Sequence, residues 1–119
     1  MKIKNQVCSL ELAKKLKELG VKKEGYFAYY YNPYHGGVSA KTLLWEYKKE
    51  RYQYKSFACF AFTVAELGEI LPKKVNWKML YYKDVWNLDF GDYRVGEKTE
   101  ADARAKMLIY LIENSLIKL

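Results

Sequence analysis

The sequence of 119 residues contains one histidine, two cysteines and two prolines, and these shortages narrow the possible functions. A structural zinc site usually needs four cysteine or histidine ligands, so His35, Cys8 and Cys59 cannot build one. We expect both cysteines to be free thiols, because they lie in apolar or helix-start contexts without motif spacing. The aspartates between residues 84 and 92 lack the spacing of a calcium loop. We therefore expect neither a metal nor another cofactor.

Long apolar runs are also absent. The longest strongly apolar run, Met107 to Ile112, is far shorter than the roughly 20 residues that span a bilayer. The basic N-terminus has no apolar stretch of about 7–15 residues, so it does not resemble a signal peptide. No repeat, low-complexity tract or linker divides the chain. These absences predict a soluble, cytoplasmic protein without a membrane partner, in which residues 1–119 form a single domain.

Signatures of catalysis and of phosphate-binding loops are missing as well. The chain has neither GxxxxGK[ST] nor GxGxxG, and no nucleophile motif surrounds either cysteine. His35 is the one side chain with an ordinary pKa near neutrality, and it lies beside Gly36 and Gly37. Backbone amides near paired glycines can still bind an anion. We expect a protein that is not an enzyme.

The positive charge of the chain is unevenly distributed. The net charge is +7, and residues 1–60 carry 12 lysines and arginines against five acidic residues. Residues 61–119 carry nine of each. An excess of one sign in one half favours an anionic partner through long-range attraction. Alternatively, the lysines keep an aromatic-rich surface soluble, and the sequence does not decide between the two.

Three segments have the periodicity and the boundary residues of helices. The first follows Ser9, which can cap it, and ends before Gly20. Thr63 and Glu66 form a capping box that predicts a short helix stopped by a proline. The third helix follows Thr99, and its wide apolar stripe predicts that it is the most buried of the three.

Five other segments have the aromatic content or the alternation of β-strands, and a hairpin is predicted to turn near residues 48–50. The order of elements is helix, strands, short helix, strands, helix. It predicts an α+β fold in which an antiparallel sheet of about four to five strands packs against helices. The predicted strands are residues 26–31, 43–47, 52–54, 77–82 and 85–95.

Aromatic and basic residues alternate on the predicted hairpin, which is the strongest indication of function. Base stacking on an aromatic ring contributes roughly 1–3 kcal/mol per base, and cations add attraction for phosphates. In the alternative interpretation, the rings are core and the lysines are the solvated face. With 17% aromatic residues, we expect some Tyr and Trp to remain at a surface or in a pocket. The predicted ligand-binding residues are Tyr34, His35, Trp45, Tyr47, Lys48, Arg51, Tyr52 and Tyr54.

The run YFAYYYNPYHGG, residues 26–37, combines a predicted strand with a loop. In a strand, successive side chains point to opposite faces, so Tyr29 and Tyr30 cannot share one. One set of side chains is expected to be core, and the sequence does not determine which. The loop of residues 32–37, with Tyr34 and His35 beside two glycines, is the predicted contact element.

Three segments together make up roughly a third to two fifths of the residues: QVCSLELAKKLKELGV, AFTVAELGEILP and EKTEADARAKMLIYLIEN. These segments resemble a family of small uncharacterised proteins encoded by bacteriophages and prophages. All three are predicted helices with their caps, and the aromatic strands lie outside them. The resemblance implies a phage or prophage origin and a shared scaffold, and it implies no catalytic residues.

These observations predict a small non-enzymatic phage accessory protein. Its expected ligand is an anionic aromatic molecule, either a nucleotide-type signal or single-stranded nucleic acid, with a role in counter-defence. The alternative is a protein–protein effector that docks on a host or phage protein through an aromatic patch or a strand edge. Aromatic strand surfaces and the apolar C-terminal helix would also suit a homodimer.

Overall fold

The computed structural model describes residues 2–31, 42–48, 57–73 and 78–117. These residues form α-helices and β-strands in the order that the sequence predicts, so the α+β class is confirmed. A short 3-10 helix, Ile3–Asn5, comes first. The elements are α1 (Leu10–Glu18), β1 (Phe27–Tyr31), β2 (Thr42–Glu46), β3 (Phe57–Ala61), α2 (Val64–Ile70), β4 (Lys78–Tyr82), β5 (Val85–Phe90), β6 (Tyr93–Glu97) and α3 (Glu100–Glu113).

The described strands form two antiparallel sheets of three strands, whereas the sequence predicts one sheet of about four to five strands. The first sheet has the order β2-β1-β3, and the second has the order β4-β5-β6. The capping box at Thr63 begins α2 directly after β3, so the chain leaves the first sheet there. Two-residue turns then join β4, β5 and β6, which pair with one another. The predicted second strand of the N-terminal hairpin, residues 52–54, lies outside the described residues.

The single strand predicted over residues 85–95 is wrong, because a turn divides it into β5 and β6. Phe90 pairs with Tyr93, which leaves Gly91 and Asp92 as the turn. Gly91 has φ of +57°, in the left-handed region that glycine enters without a steric penalty. Before the turn the apolar side chains fall at the even positions Trp86, Leu88 and Phe90, and after it they fall at the odd positions Tyr93 and Val95, so the change of phase at Gly91 marks the turn that the prediction overlooked.

All three helices begin after the residue that the sequence predicts as their cap, but the capping hydrogen bond forms at Thr63 and Thr99 and not at Ser9. Thr63 Oγ1 accepts the backbone N–H of Glu66 at 3.2 Å, and Thr99 Oγ1 accepts that of Asp102 at 3.1 Å. Ser9 stands at the N-cap of α1, but its side chain makes no capping hydrogen bond. Its backbone N–H donates instead to Asp102 Oδ1 at 2.7 Å, which joins the starts of α1 and α3.

Helix α3 lies at the centre of the core, as its apolar stripe predicts. It packs against α1, α2, β5 and β6. Its buried side chains are Ala101, Ala103, Ala105, Met107, Leu108, Ile109 and Leu111. Among the described helices, none combines the length and the apolar character that crossing a membrane requires.

Glu66 is the one buried charged residue in the described part of the chain, with 4% of its surface exposed. Its Oε1 accepts the backbone N–H of Thr63 at 3.0 Å, which completes the capping box of α2. Its Oε2 accepts the backbone N–H of Tyr26 at 3.1 Å, at the residue before β1. The carboxylate therefore fixes the start of the central strand of the first sheet to the start of α2.

Replacing Glu66 with Ala is expected to lower the free energy of unfolding by about 2–4 kcal/mol, because two part-buried backbone N–H groups lose their acceptor. Glu66→Gln keeps one acceptor oxygen and is expected to lie between Glu66→Ala and the wild type. Urea denaturation measures both changes. Glu69→Ala, on the same helix but exposed, is the control and should leave the urea midpoint nearly unchanged. Equal losses for Glu66→Ala and Glu69→Ala would contradict this role.

Candidate ligand-binding site on the aromatic sheet

The first sheet carries a continuous set of aromatic rings. The ring centroids of Tyr30 lie 5.9 Å from those of both Trp45 and Phe57. The Tyr47 and Phe60 centroids are 4.8 Å apart, and those of Phe57 and Phe60 are 5.1 Å apart. These distances are within the range of favourable aromatic pairs. We call the set the aromatic cluster: Tyr30, Trp45, Tyr47, Phe57, Phe60 and Phe62.

Strand pairing explains how these rings meet. Ala28 of β1 lies opposite both Trp45 of β2 and Phe60 of β3, so a small central side chain is flanked by large rings. The register between β1 and β3 shifts after Tyr29, and Phe57 rather than Ala58 becomes the partner of Tyr30. Partners across an antiparallel pair share a face, so this irregularity places the Phe57 ring beside the Tyr30 ring.

The structure shows how the two faces of β1 are used. Tyr30 is 1% exposed and belongs to the aromatic cluster. Tyr29, on the opposite face, is half-buried against the core, and its hydroxyl donates to the Cys8 carbonyl at 2.7 Å. Tyr26 and Tyr31, at the ends of the run, are exposed. Both faces of the middle of β1 are therefore covered. The sequence alone does not show which face packs on the core and which belongs to the aromatic cluster.

Two lysines of α1 reach the rings of the first sheet. Lys17 Nζ lies 5.6 Å from the centroid of the Phe57 ring and donates to the Ala58 carbonyl at 2.7 Å. Lys14 Nζ lies 5.9 Å from the centroid of the Tyr31 ring. A cation at this distance from a ring face is attracted by the ring quadrupole. Helix α1 thus contributes positive charge directly beside the aromatic cluster.

A cavity of about 300 Å³ opens where the C-terminal end of α1 meets β3. Three rings of the aromatic cluster form one wall, and Lys17 and Lys22 contribute its cations. The cavity combines apolar walls with positive charge, which suits a ligand that has both a ring and an anionic group. Its lining residues are Ala13, Lys17, Gly20, Val21, Lys22, Phe57, Cys59, Phe60 and Phe62.

The structure places only part of the predicted site. Trp45 is 45% exposed, Lys48 is exposed, and Tyr47 is half-buried within the aromatic cluster. The other predicted residues lie outside the described part of the chain: Tyr34, His35, Arg51, Tyr52 and Tyr54.

Sequence reasoning missed Lys14, Lys17, Phe57 and Phe60. Lys14 and Lys17 are three residues apart, which places them on one side of a helix. The sequence alone shows that spacing. No local sequence pattern shows that α1 packs against the aromatic strands.

A larger cleft of about 660 Å³ lies elsewhere, between the N-terminal segment and the starts of α2 and α3. Its lining includes one aromatic ring, Trp86, and one lysine, Lys98. Glu100 adds a carboxylate, and the remaining residues are small or polar: Asn5, Gln6, Thr63, Val64, Ala65 and Thr99. The described residues of this cleft do not group several rings with cations as those beside α1 do, so its larger size does not make it the better site for an anionic aromatic ligand.

The two thiols are poorly suited to nucleophilic chemistry. Burial raises the pKa of Cys8 to about 12, and burial also raises the pKa of Cys59 although Lys17 and Lys14 oppose that shift. The thiolate is the reactive form, so both side chains are unreactive near neutral pH. Within the described residues, no group of three or more His, Cys, Asp or Glu side chains is placed to hold a metal ion.

Comparisons with known proteins identify no family for this chain. No protein-family model matches the sequence, and no curated protein matches it. No solved structure matches the chain either. The resemblance to phage-encoded proteins therefore stays a prediction.

Both thiols are expected to react with Ellman's reagent at least about 100-fold more slowly in the native protein at pH 8 than in the unfolded chain, because burial disfavours the thiolate. Cys8→Ala and Cys59→Ala leave one thiol each, so absorbance changes report each site separately. In guanidinium both thiols should react at the ordinary rate. A thiol that reacts as fast in the native protein as in the unfolded chain would contradict the prediction that burial makes it unreactive, and it would make that cysteine a candidate nucleophile.

Proposed function

We propose that this protein is a non-enzymatic binding protein for an anionic ligand with an aromatic ring, a nucleotide-type molecule or single-stranded nucleic acid. One observation carries the proposal: Lys17 lies over the Phe57 ring at the cavity beside α1, so a cation and several rings face the same space. A base would stack on the rings, and a phosphate would meet Lys17 and Lys22. Stacking contributes roughly 1–3 kcal/mol per base, and charge attraction adds to it.

The size of the cavity favours one nucleotide unit inside it. A volume of about 300 Å³ is at the lower end of the range of small-molecule sites. A longer strand would extend over the exposed surface, where the Trp45 ring and Lys48 offer a further stacking and charge contact. A mononucleotide and a single strand would both place one nucleotide unit in the cavity. The single strand would also contact the exposed surface at Trp45 and Lys48.

The distribution of charge supports the same ligand class. The excess of positive charge belongs to residues 1–60, which include α1 and the rings of β1 and β2. Lys15 is directed elsewhere, with Nζ 3.9 Å from a carboxylate oxygen of Glu113, and Lys23 pairs with Glu69. Lys14 and Lys17 instead lie beside rings, where an incoming phosphate would find them.

The biological role that we propose is sequestration of a nucleotide signal of the host during phage infection, in the host cytoplasm. It rests on the resemblance of the helical segments to phage-encoded proteins and on the charge of the N-terminal half. A binding protein suits such a role because sequestration needs affinity and no chemistry.

A second candidate function is docking on another protein through the second sheet. Strand β4 is an edge strand of that sheet, and its residues Leu80, Tyr81 and Tyr82 are exposed large apolar side chains. Exposed apolar side chains on an edge strand favour a protein partner, including a second copy of this chain. Binding through such a surface would depend little on salt, whereas binding to phosphates weakens steeply as salt rises.

The proposal is tested by thermal-shift measurements with mono-, di- and cyclic nucleotides and with short single strands. A ligand at 100 times its dissociation constant stabilises the protein by roughly 2.7 kcal/mol, which raises the melting temperature by several degrees. Lys17→Gln is expected to weaken the binding about tenfold, because it removes the cation beside the rings. Lys15→Gln removes the same charge from the same helix and is the matched control.

The expected result is a shift with at least one ligand, weaker binding for Lys17→Gln and unchanged binding for Lys15→Gln. Higher salt should weaken it. No shift with any nucleotide, together with no salt-sensitive binding to single strands, would overturn the proposal. Equal losses in the two variants would show that only net charge matters and would contradict a site beside α1.

A further inference from the structure

Arg104 of α3 has hydrogen-bonding capacity that the described residues do not use. Its Nη2 donates to Glu100 Oε1 at 3.1 Å, one turn earlier on the helix. Its Nε is buried and has no acceptor among the described residues. Only 27% of the side chain is exposed. A guanidinium has five N–H donors, and a buried donor without a partner is unusual in a native structure.

The guanidinium lies at a cavity of about 240 Å³ between α2, the second sheet and α3. Most of the wall is apolar, and Lys73 provides a second cation beside Arg104. Among the residues that the structure describes, this lining includes no carboxylate. The lining residues are Gly68, Leu71, Pro72, Lys73, Met79, Leu88 and Arg104.

Gly68 is what allows the guanidinium to lie there. A Cβ at position 68 would overlap Arg104 Nη1, so any other residue would displace that side chain. Glycine is a poor helix former, and yet it occupies the interior of α2. The close approach of Arg104 to the α2 backbone explains why glycine occupies position 68, whereas helix stability would favour another residue.

We propose that this cavity binds a small carboxylic acid with an apolar tail, at a site separate from the aromatic cluster. The carboxylate would accept charge-assisted hydrogen bonds from Arg104, with Lys73 adding positive charge. The tail would lie against Leu71, Met79 and Leu88. At a share of about 30 Å³ per water-sized group, the volume holds about eight non-hydrogen atoms, the size of hexanoate.

Hexanoate is the probe, and the ¹³C-methyl resonance of Met79 is the readout in a titration followed by NMR. Hexylammonium is the control that keeps the tail without the negative charge, and inorganic phosphate keeps negative charge without the tail. Hexanoate is expected to shift the resonance saturably, with a dissociation constant in the millimolar range. An equal response to either control, or no response to hexanoate, would overturn the proposal.

Two variants test the role of the guanidinium. Arg104→Gln is expected to weaken hexanoate binding at least about tenfold. Arg94→Gln is the matched control, because its guanidinium is already held by both carboxylate oxygens of Asp89, and it should bind hexanoate like the wild type. Gly68→Ala favours the helix while displacing Arg104, so it replaces Arg104→Gln if that variant does not fold. Hexanoate binding that survives the removal or displacement of Arg104 would overturn the site.

Discussion

Helix α3 has buried side chains on nearly every side, and covering it is the constraint on which the rest of the structure depends. Seven of its 14 residues are buried, and α1, α2 and the second sheet surround it. The first sheet is attached to this core through α1, which packs on β3, and through the bond from Tyr29 to the Cys8 carbonyl. The rings of that sheet and the lysines of α1 therefore meet at the boundary between a helix and a strand.

Two carboxylates fix segments that are distant in the sequence. Asp102 accepts the backbone N–H of Ser9, and Glu66 accepts that of Tyr26, so each determines where an element begins. Burial raises the pKa of Asp102 even though the bond from Ser9 opposes that shift. Since a buried backbone group without a partner costs about 1–3 kcal/mol, these bonds favour one arrangement over its alternatives. They set the starts of α1 and β1, and with them the position of Lys17 relative to the rings.

The features that local chemistry determines were predictable, and those that tertiary contacts determine were not. Thr63 and Thr99 cap their helices as their sequence contexts indicate, because capping needs only neighbouring residues. Ser9 has the same local pattern, but its backbone is bound by a carboxylate 93 residues away. Trp45 and Lys48 of the predicted site are exposed, whereas Lys17, the cation over the Phe57 ring, comes from a helix whose packing no local pattern reveals.

We propose that an anionic aromatic ligand binds on the first sheet, which carries the aromatic cluster, rather than on the second. Fluorine NMR of protein labelled with 5-fluorotryptophan tests it most directly. The sequence has three tryptophans, of which Trp45 lies on the first sheet and Trp86 on the second. The variants Trp45→Phe and Trp86→Phe each remove one resonance and so assign it. Titration with a mixed-sequence single strand should shift the Trp45 resonance and leave that of Trp86 unchanged. A shift confined to Trp86, or no shift of Trp45 at saturation, would contradict the account.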